Sequence, residues 1–296
     1  MNSLVFSCLI LPIVGQTATV GDEKGYHQKN LLVEAQSLRE TPEKWVILDV
    51  RPKSAFDSGH IPGALWIDHA SWDKAFSGGK DANNWSKRIR DLGILRESKI
   101  VLYDDNLTRD AARIWWILRF WGIRDAGLLN GGWKAWLREK YPLETTGRKA
   151  TPSNFEAIAV PDRLATKDQL LESLKSGTLQ IVDARSQKEF CGEEKLKNKR
   201  AGAIPGAKNL EWDDLLDPKT GRFLPAVKIH MLLEGAEISL DRPTATHCQS
   251  GGRASVMAFA LELMGAREVR NYYSSWAEWG NDPNTPIVPG TPNKQK

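Results

Sequence analysis

Trp45-Val-Ile-Leu-Asp49-Val-Arg51, followed by Phe56 and then by Gly59-His-Ile-Pro62-Gly63-Ala64, decides how the chain is organised, because it occurs twice. The second copy reads Leu179-Gln-Ile-Val-Asp183-Ala-Arg185, then Phe190, then Gly202-Ala-Ile-Pro205-Gly206-Ala207. Further along, Trp133-Lys-Ala-Trp136 is matched by Trp276-Ala-Glu-Trp279. The Asp-x-Arg pairs lie 134 positions apart and the later pairs 143 apart, so the second copy carries nine extra residues, in the polar stretch around Cys191 to Arg200. Solenoid repeats have periods of about 20 to 50 residues, so a spacing this long indicates a duplicated domain.

Within each copy, Val46-Ile-Leu and Ile181-Val are short β-branched runs suited to buried strands, as is Ile100-Val-Leu-Tyr103. Leu31, Leu32, Ala35 and Leu38 in the first half, and Leu170, Leu171 and Leu174 in the second, have helical spacing. Short buried strands alternating with helices predict an α/β fold, each half a mostly parallel sheet flanked by helices. Ile-Pro-Gly-Ala supplies a turn, since Pro fixes φ and Gly tolerates positive φ. The expected division is a first domain over 31–144, a linker over 145–161 containing Thr145-Thr-Gly147, Pro152 and Pro161, and a second domain over 162–290.

Composition fits two soluble domains: 296 residues, 41% hydrophobic and 26% charged. With 41 Lys plus Arg against 37 Asp plus Glu, the net charge is +4, which makes no case for nucleic acid or an anionic membrane as partner. Cys8, Cys191 and Cys248 stand far apart, so neither a disulfide framework nor a metal site is expected. Residues 4–14 form an apolar run shorter than the ~20 residues a membrane helix needs, and small and polar residues follow it. The order fits an export signal over 1–18, which would make the protein periplasmic or secreted; without it the chain would be cytoplasmic.

The chemistry is concentrated in Ala245-Thr-His-Cys248-Gln249-Ser250-Gly251-Gly252-Arg253-Ala254-Ser255, which runs into Val256-Met-Ala-Phe259-Ala260-Leu-Glu-Leu263, an apolar helix. A cysteine there faces successive backbone N–H groups and the positive end of the helix dipole, and two glycines let the loop curl around a small anion. Arg253 adds a full positive charge, and together these effects favour the thiolate of Cys248. Cysteine loops of this kind serve sulfur transfer or phosphate-ester hydrolysis. The tyrosine-phosphatase signature is Cys-x5-Arg, whereas four residues separate Cys248 from Arg253, a tighter loop suited to one extra sulfur atom.

The chain resembles the tandem-domain rhodaneses, thiosulfate sulfurtransferases, from about Leu31 to Gly290. The resemblance is carried by the Leu-Asp-Val-Arg and Gly-His-Ile-Pro-Gly-Ala elements, the duplication and the Cys-x-x-Gly-x-Arg loop. It implies two rhodanese-like domains, the first non-catalytic and the second catalytic. Counting back 143 positions from Cys248 reaches Asp105, which cannot accept sulfur. The resemblance also implies a double displacement in which Cys248 takes sulfur from thiosulfate as a persulfide, releases sulfite, and passes the sulfur to cyanide or a thiol. Gln249, Ser250, Gly251 and Gly252 would support the persulfide through backbone N–H groups. Arg185 is the candidate for orienting the sulfonate-like end of the donor or bracing the loop, and Arg253 either touches substrate or ties the loop. No cofactor or metal is implied, the partners are small-molecule donor and acceptor, and a monomer is expected. Related 3-mercaptopyruvate enzymes carry Cys-Gly-Ser/Ala-Gly-Val-Thr, where this chain has Gln249 and Gly252-Arg253, which favours thiosulfate. The alternatives are 3-mercaptopyruvate as donor, or a non-catalytic module that carries persulfide for a partner.

His247 precedes the nucleophile without being a candidate base, and Cys191 reads as a bystander. Asp49 and Asp183 recur in both halves, which favours a structural role. The twelve tryptophans read as core and domain-interface packing.

Overall fold

Each Asp-x-Arg motif ends a short central strand. The computed structural model describes residues 25–79 and 81–291; the expected export signal lies outside them. In the first half, β1 (Leu32–Val33), β2 (Val46–Asp49), β3 (Leu65–Trp66), β4 (Ile100–Tyr103) and β5 (Ala126–Leu129) form a parallel sheet in the order β1-β5-β4-β2-β3. Helices α1 (Ala35–Glu40), α2 (Lys53–Ser58), α3 (His69–Gly78), α4 (Ala82–Arg90), α5 (Arg109–Phe120) and α6 (Gly132–Arg138) connect and cover it.

The second half continues with α7 (Lys167–Ser176), β6 (Gln180–Asp183), α8 (Gln187–Cys191), β7 (Lys208–Asn209), α9 (Ala226–Gly235), β8 (Thr244–His247), α10 (Gly252–Leu263), β9 (Val269–Asn271) and α11 (Ser275–Trp279). Its parallel sheet runs β7-β6-β8-β9, and a single parallel bridge from Leu164 to Asn271 stands where β1 stands in the first half. The fold class is therefore the expected one: two similar α/β units with parallel sheets.

Local chemistry explains most of these elements. Gly63 and Gly206 have φ of 77° and 74°, and Ala64 and Ala207 donate to the carbonyls of Ile61 and Ile204, so both Ile-Pro-Gly-Ala motifs are type II turns. Helices α7 and α8 each begin with a capping box, Thr166 with Gln169 and Ser186 with Glu189, and end at a left-handed glycine, Gly177 and Gly192. One expectation fails: Leu31 and Leu32 do not belong to the helix. Leu31 closes a 3-10 turn and Leu32 pairs with Leu128 at the sheet edge, so the helix starts only at Ala35. Strand pairing overrides the helical spacing there.

The halves share one interior. Every residue of α10 except Arg253 is buried, as is most of α5, and an all-round apolar helix belongs inside a core. Trp115 of α5 meets Phe259 of α10 edge-on at 5.0 Å, within a cluster that spans both sheets. Two smaller clusters cover the outer sheet faces, one with Ile47, Val101 and Trp136 and the other with Ile181, Tyr272 and Trp279. The stretch 145–161, expected as a linker, is held to the first half by hydrogen bonds and by burial of its side chains. Arg90 Nε donates to the Phe155 carbonyl at 2.7 Å, Val160 N–H donates to the Phe120 carbonyl at 2.7 Å, and Phe155 and Ala157 are buried. Among the described residues no helix is long and apolar enough to cross a membrane.

Candidate active site

The two Asp-x-Arg motifs have the same geometry. Arg51 binds the Asp49 carboxylate at 2.6 Å and the Gly59 carbonyl at 2.7 Å, with its guanidinium 3.9 Å from the Trp133 ring centroid. Arg185 binds Asp183 at 2.6 Å and the Gly202 carbonyl at 2.8 Å, 4.1 Å from the Trp276 ring centroid. Arg185 is 1% exposed, and of the two roles open to it, orienting the donor or bracing the loop, the hydrogen bonds of its Nε and Nη2 go to Asp183 and Gly202 of the fold. A planar donor fork fits a carboxylate on one side and the carbonyl of the next turn on the other, fixing the motifs to each other. Burial works to raise the Asp183 pKa, but the charge and hydrogen bonds of Arg185 outweigh it and hold the carboxyl below its usual range. His247 is fully buried with Nε2 3.4 Å from Asp183; burial pushes its pKa down to about 4, which keeps it neutral.

Cys248 follows β8 directly and is 1% exposed. Its N–H donates to Ser275 Oγ at 3.1 Å, and its carbonyl and that of Gln249 each accept an N–H from the start of α11 at 3.0 Å. Gly251 has φ 84°, and a Cβ there would lie 2.9 Å from Tyr273, so the turn requires glycine on both counts. The Gln249 amide exchanges two 3.0 Å hydrogen bonds with Asn198, from the nine-residue insertion. Arg253 forms a two-pronged ion pair with Glu189, at 2.6 and 2.9 Å. Burial opposes the charge of Arg253, but Glu189 and Cys248 outweigh it and raise its pKa. Of the two roles open to Arg253, its hydrogen bonds go to an acid of the fold.

The first half contains a corresponding loop between β4 and α5. Tyr103 is paired with Asp49 as His247 is with Asp183, so the residue matching Cys248 is Asp104. The first loop is one residue longer, which shifts the count from the expected Asp105. The Asp104 carboxylate accepts four backbone N–H groups, from Asn106, Thr108, Asp110 and Ala111, at 2.8 to 2.9 Å. Among the described residues, no protein acceptor is hydrogen-bonded to the N–H groups of Gln249 through Ala254 in the second loop. One loop closes on its own carboxylate; the other has a thiol at its start.

A rhodanese-like domain model matches residues 33–139 and again 166–282. The chain belongs to the rhodanese family. The sulfur carrier protein TtuD of Thermus thermophilus is 33% identical over 283 residues, covering 90% of this chain and 99% of that protein. A thiosulfate sulfurtransferase of Corynebacterium glutamicum is 34% identical over 252 residues, covering 81% and 83%. The crystal structure of SseA from Escherichia coli, described as a 3-mercaptopyruvate sulfotransferase, superposes with a TM-score of 0.74 at 28% identity, covering 84% of this chain and 99% of that one. Sulfur transfer is the activity these relatives share.

In this rhodanese the Cys248 loop opens onto a cleft of about 670 Å3 lined from both halves. Lys74 of α3 and Arg109 and Arg113 of α5 join Cys248, Ser250 and Arg253 there, together with three carboxylates that pair with the arginines: Asp110 with Arg109, Asp73 with Arg113 and Glu189 with Arg253. Among the described residues, no three His, Cys, Asp or Glu side chains gather as a metal site. Sequence reasoning missed Arg113, Glu189 and Asn198. A signal existed for the first two: at the repeat spacings they align with Val256 and Ala55, so each is a charge present in one half only. Asn198 lies in the insertion and has no counterpart to compare.

Proposed function

We propose that this rhodanese transfers a sulfane sulfur from thiosulfate to cyanide or a thiol through a persulfide on Cys248. The thiolate attacks the outer sulfur of thiosulfate, the S–S bond breaks, and sulfite leaves with the bonding pair. Cyanide carbon, or an acceptor thiolate, then attacks the outer persulfide sulfur and returns Cys248 as thiolate.

The contrast between the two loops carries this reading. Around Asp104 four N–H groups close on a carboxylate, and the Cys248 loop, shorter by one residue, offers N–H groups that the protein does not use. A thiolate or persulfide at Cys248 takes the place that a carboxylate takes at Asp104, stabilised by donors fixed before the reaction begins. Thiosulfate is favoured as donor by Gln249 and Gly252-Arg253, which replace the Gly and Val-Thr of the mercaptopyruvate-type loop.

The test compares thiocyanate formation from thiosulfate and cyanide with pyruvate formation from 3-mercaptopyruvate, in wild type and Cys248→Ser. Thiosulfate is expected to be the faster donor and Cys248→Ser inactive with both. Faster turnover of mercaptopyruvate would overturn the donor assignment, and turnover of neither would overturn the enzyme reading in favour of a carrier. We further propose export through residues 1–18, tested by the mass of the mature N-terminus: cleavage near Ala18 is expected, and a retained Met1 would contradict it.

A further inference from the structure

We propose that Arg113, a residue of the first half, is a positioning residue for the thiol of the second. The proposal deepens the reading of Cys248 given above and rests on it.

Arg113 lies on α5 with its side chain 10% exposed, and its Nη1 reaches three acceptors: the Ser250 carbonyl at 2.9 Å, Tyr273 Oη at 3.1 Å, and Asp73 of α3. Burial works against its charge, but Tyr273, Asp73 and Cys248 together outweigh burial, so it stays a cation. The guanidinium packs directly on the loop: a Cβ at Gly252 would lie 2.6 Å from Nη2, so any side chain there would push against it.

A cation beside the first turn of α10 is unfavourable to the helix dipole, so helix stability does not account for it. Asp73 and Tyr273 hold it in place, and from there it reaches the Ser250 carbonyl. Because the peptide unit is planar and trans, holding that oxygen toward Arg113 turns the Gly251 N–H to the opposite side and fixes the curl of the loop. The same guanidinium places positive charge near Cys248, on the first-half side of the cleft, with Arg253 supplying the second charge from α10 itself. The half without a nucleophile thus supplies part of the reacting environment.

The experiment measures alkylation of Cys248 by iodoacetamide at fixed pH, read by peptide mass spectrometry, with Cys191 in the same sample as internal reference. Alkylation follows the thiolate, so it does not depend on the sulfur donor or acceptor; failure of the sulfur-transfer assays would count against the proposed function alone. Arg113→Met is expected to slow Cys248 relative to Cys191 by about tenfold, the order expected from removing one nearby charge in a partly buried site. Arg113→Lys, which keeps the charge, is expected to recover most of the rate. A merely structural role predicts the opposite sign, because a loosened interface exposes the buried thiol and speeds its alkylation. An unchanged or increased Cys248-to-Cys191 ratio in Arg113→Met would overturn the proposal. If that variant does not fold, Tyr273→Phe carries the test: it removes one anchor of the guanidinium without burying an unpaired charge. A slower Cys248 is expected there too, and an unchanged or faster one would overturn the proposal.

Discussion

Asp104 and Cys248 occupy the same place in the two halves, each the first residue after the strand that pairs with its Asp-x-Arg strand. Around Asp104 the loop closes four backbone N–H groups on a carboxylate, and in the loop after Cys248 the N–H groups of Gln249 through Ala254 have no protein acceptor among the described residues. One copy places a carboxylate at this position and the other a thiol.

The burial of Arg185 against Asp183 leads to a first prediction. Arg185→Met leaves the Asp183 carboxylate buried without its partner, a loss of about 3 to 5 kcal/mol for a broken buried pair. Denaturant titration is expected to show that loss, while the KM for thiosulfate of the protein that remains folded stays near wild type. A large rise in KM with stability intact would point to the substrate-orienting role.

His247 gives the pH dependence. Burial, aided by Arg185 and against the pull of Asp183, lowers its pKa from 6.5 to about 4, so the native state holds it neutral while the unfolded chain binds a proton more readily. Its contribution is fully present above pH 6.5 and is lost as the pH falls toward 4, a total of ~3 kcal/mol. Unfolding midpoints measured across that window are expected to fall for wild type and to have a shallower slope in His247→Gln. Equal slopes would contradict the assignment.

At the opposite ends of α5 and α10 from the cleft, Glu262 binds Arg163 at 2.7 and 3.0 Å and Arg119 at 3.4 Å. Burial, with Arg119 adding to it, already pushes the Arg163 pKa down to about 10, so the pair of cations depends on this carboxylate. Glu262→Ala is expected to cost about 3 to 5 kcal/mol of stability and to leave thiocyanate formation per folded molecule unchanged. Thermal melts alongside activity check both halves of that expectation.

The parts of this molecule that local chemistry dictates were legible in the sequence. β-branched runs gave the strands at Val46, Ile100 and Ile181, Pro-Gly gave both turns, and two glycines before an apolar run gave the Cys248 loop and α10. What depends on partners distant in sequence was not. Leu32 has helical spacing but pairs with Leu128, and Arg185 looks like an available cation until Asp183 and Gly202 are beside it. A single extra loop residue moved the counterpart of Cys248 from Asp105 to Asp104, because counting cannot place an insertion that strand register can. Arg113 reaches Ser250 across 137 positions, and only the packing of α5 against α10 brings them together.

The central claim is that Cys248 carries the transferred sulfur, and peptide mass spectrometry of the protein after incubation with thiosulfate tests it most directly. One sulfur atom is expected on the peptide containing Cys248, removable by cyanide with release of thiocyanate and absent from Cys248→Ser. Sulfur found on Cys191 instead, or thiocyanate formed by Cys248→Ser at the wild-type rate, would contradict it.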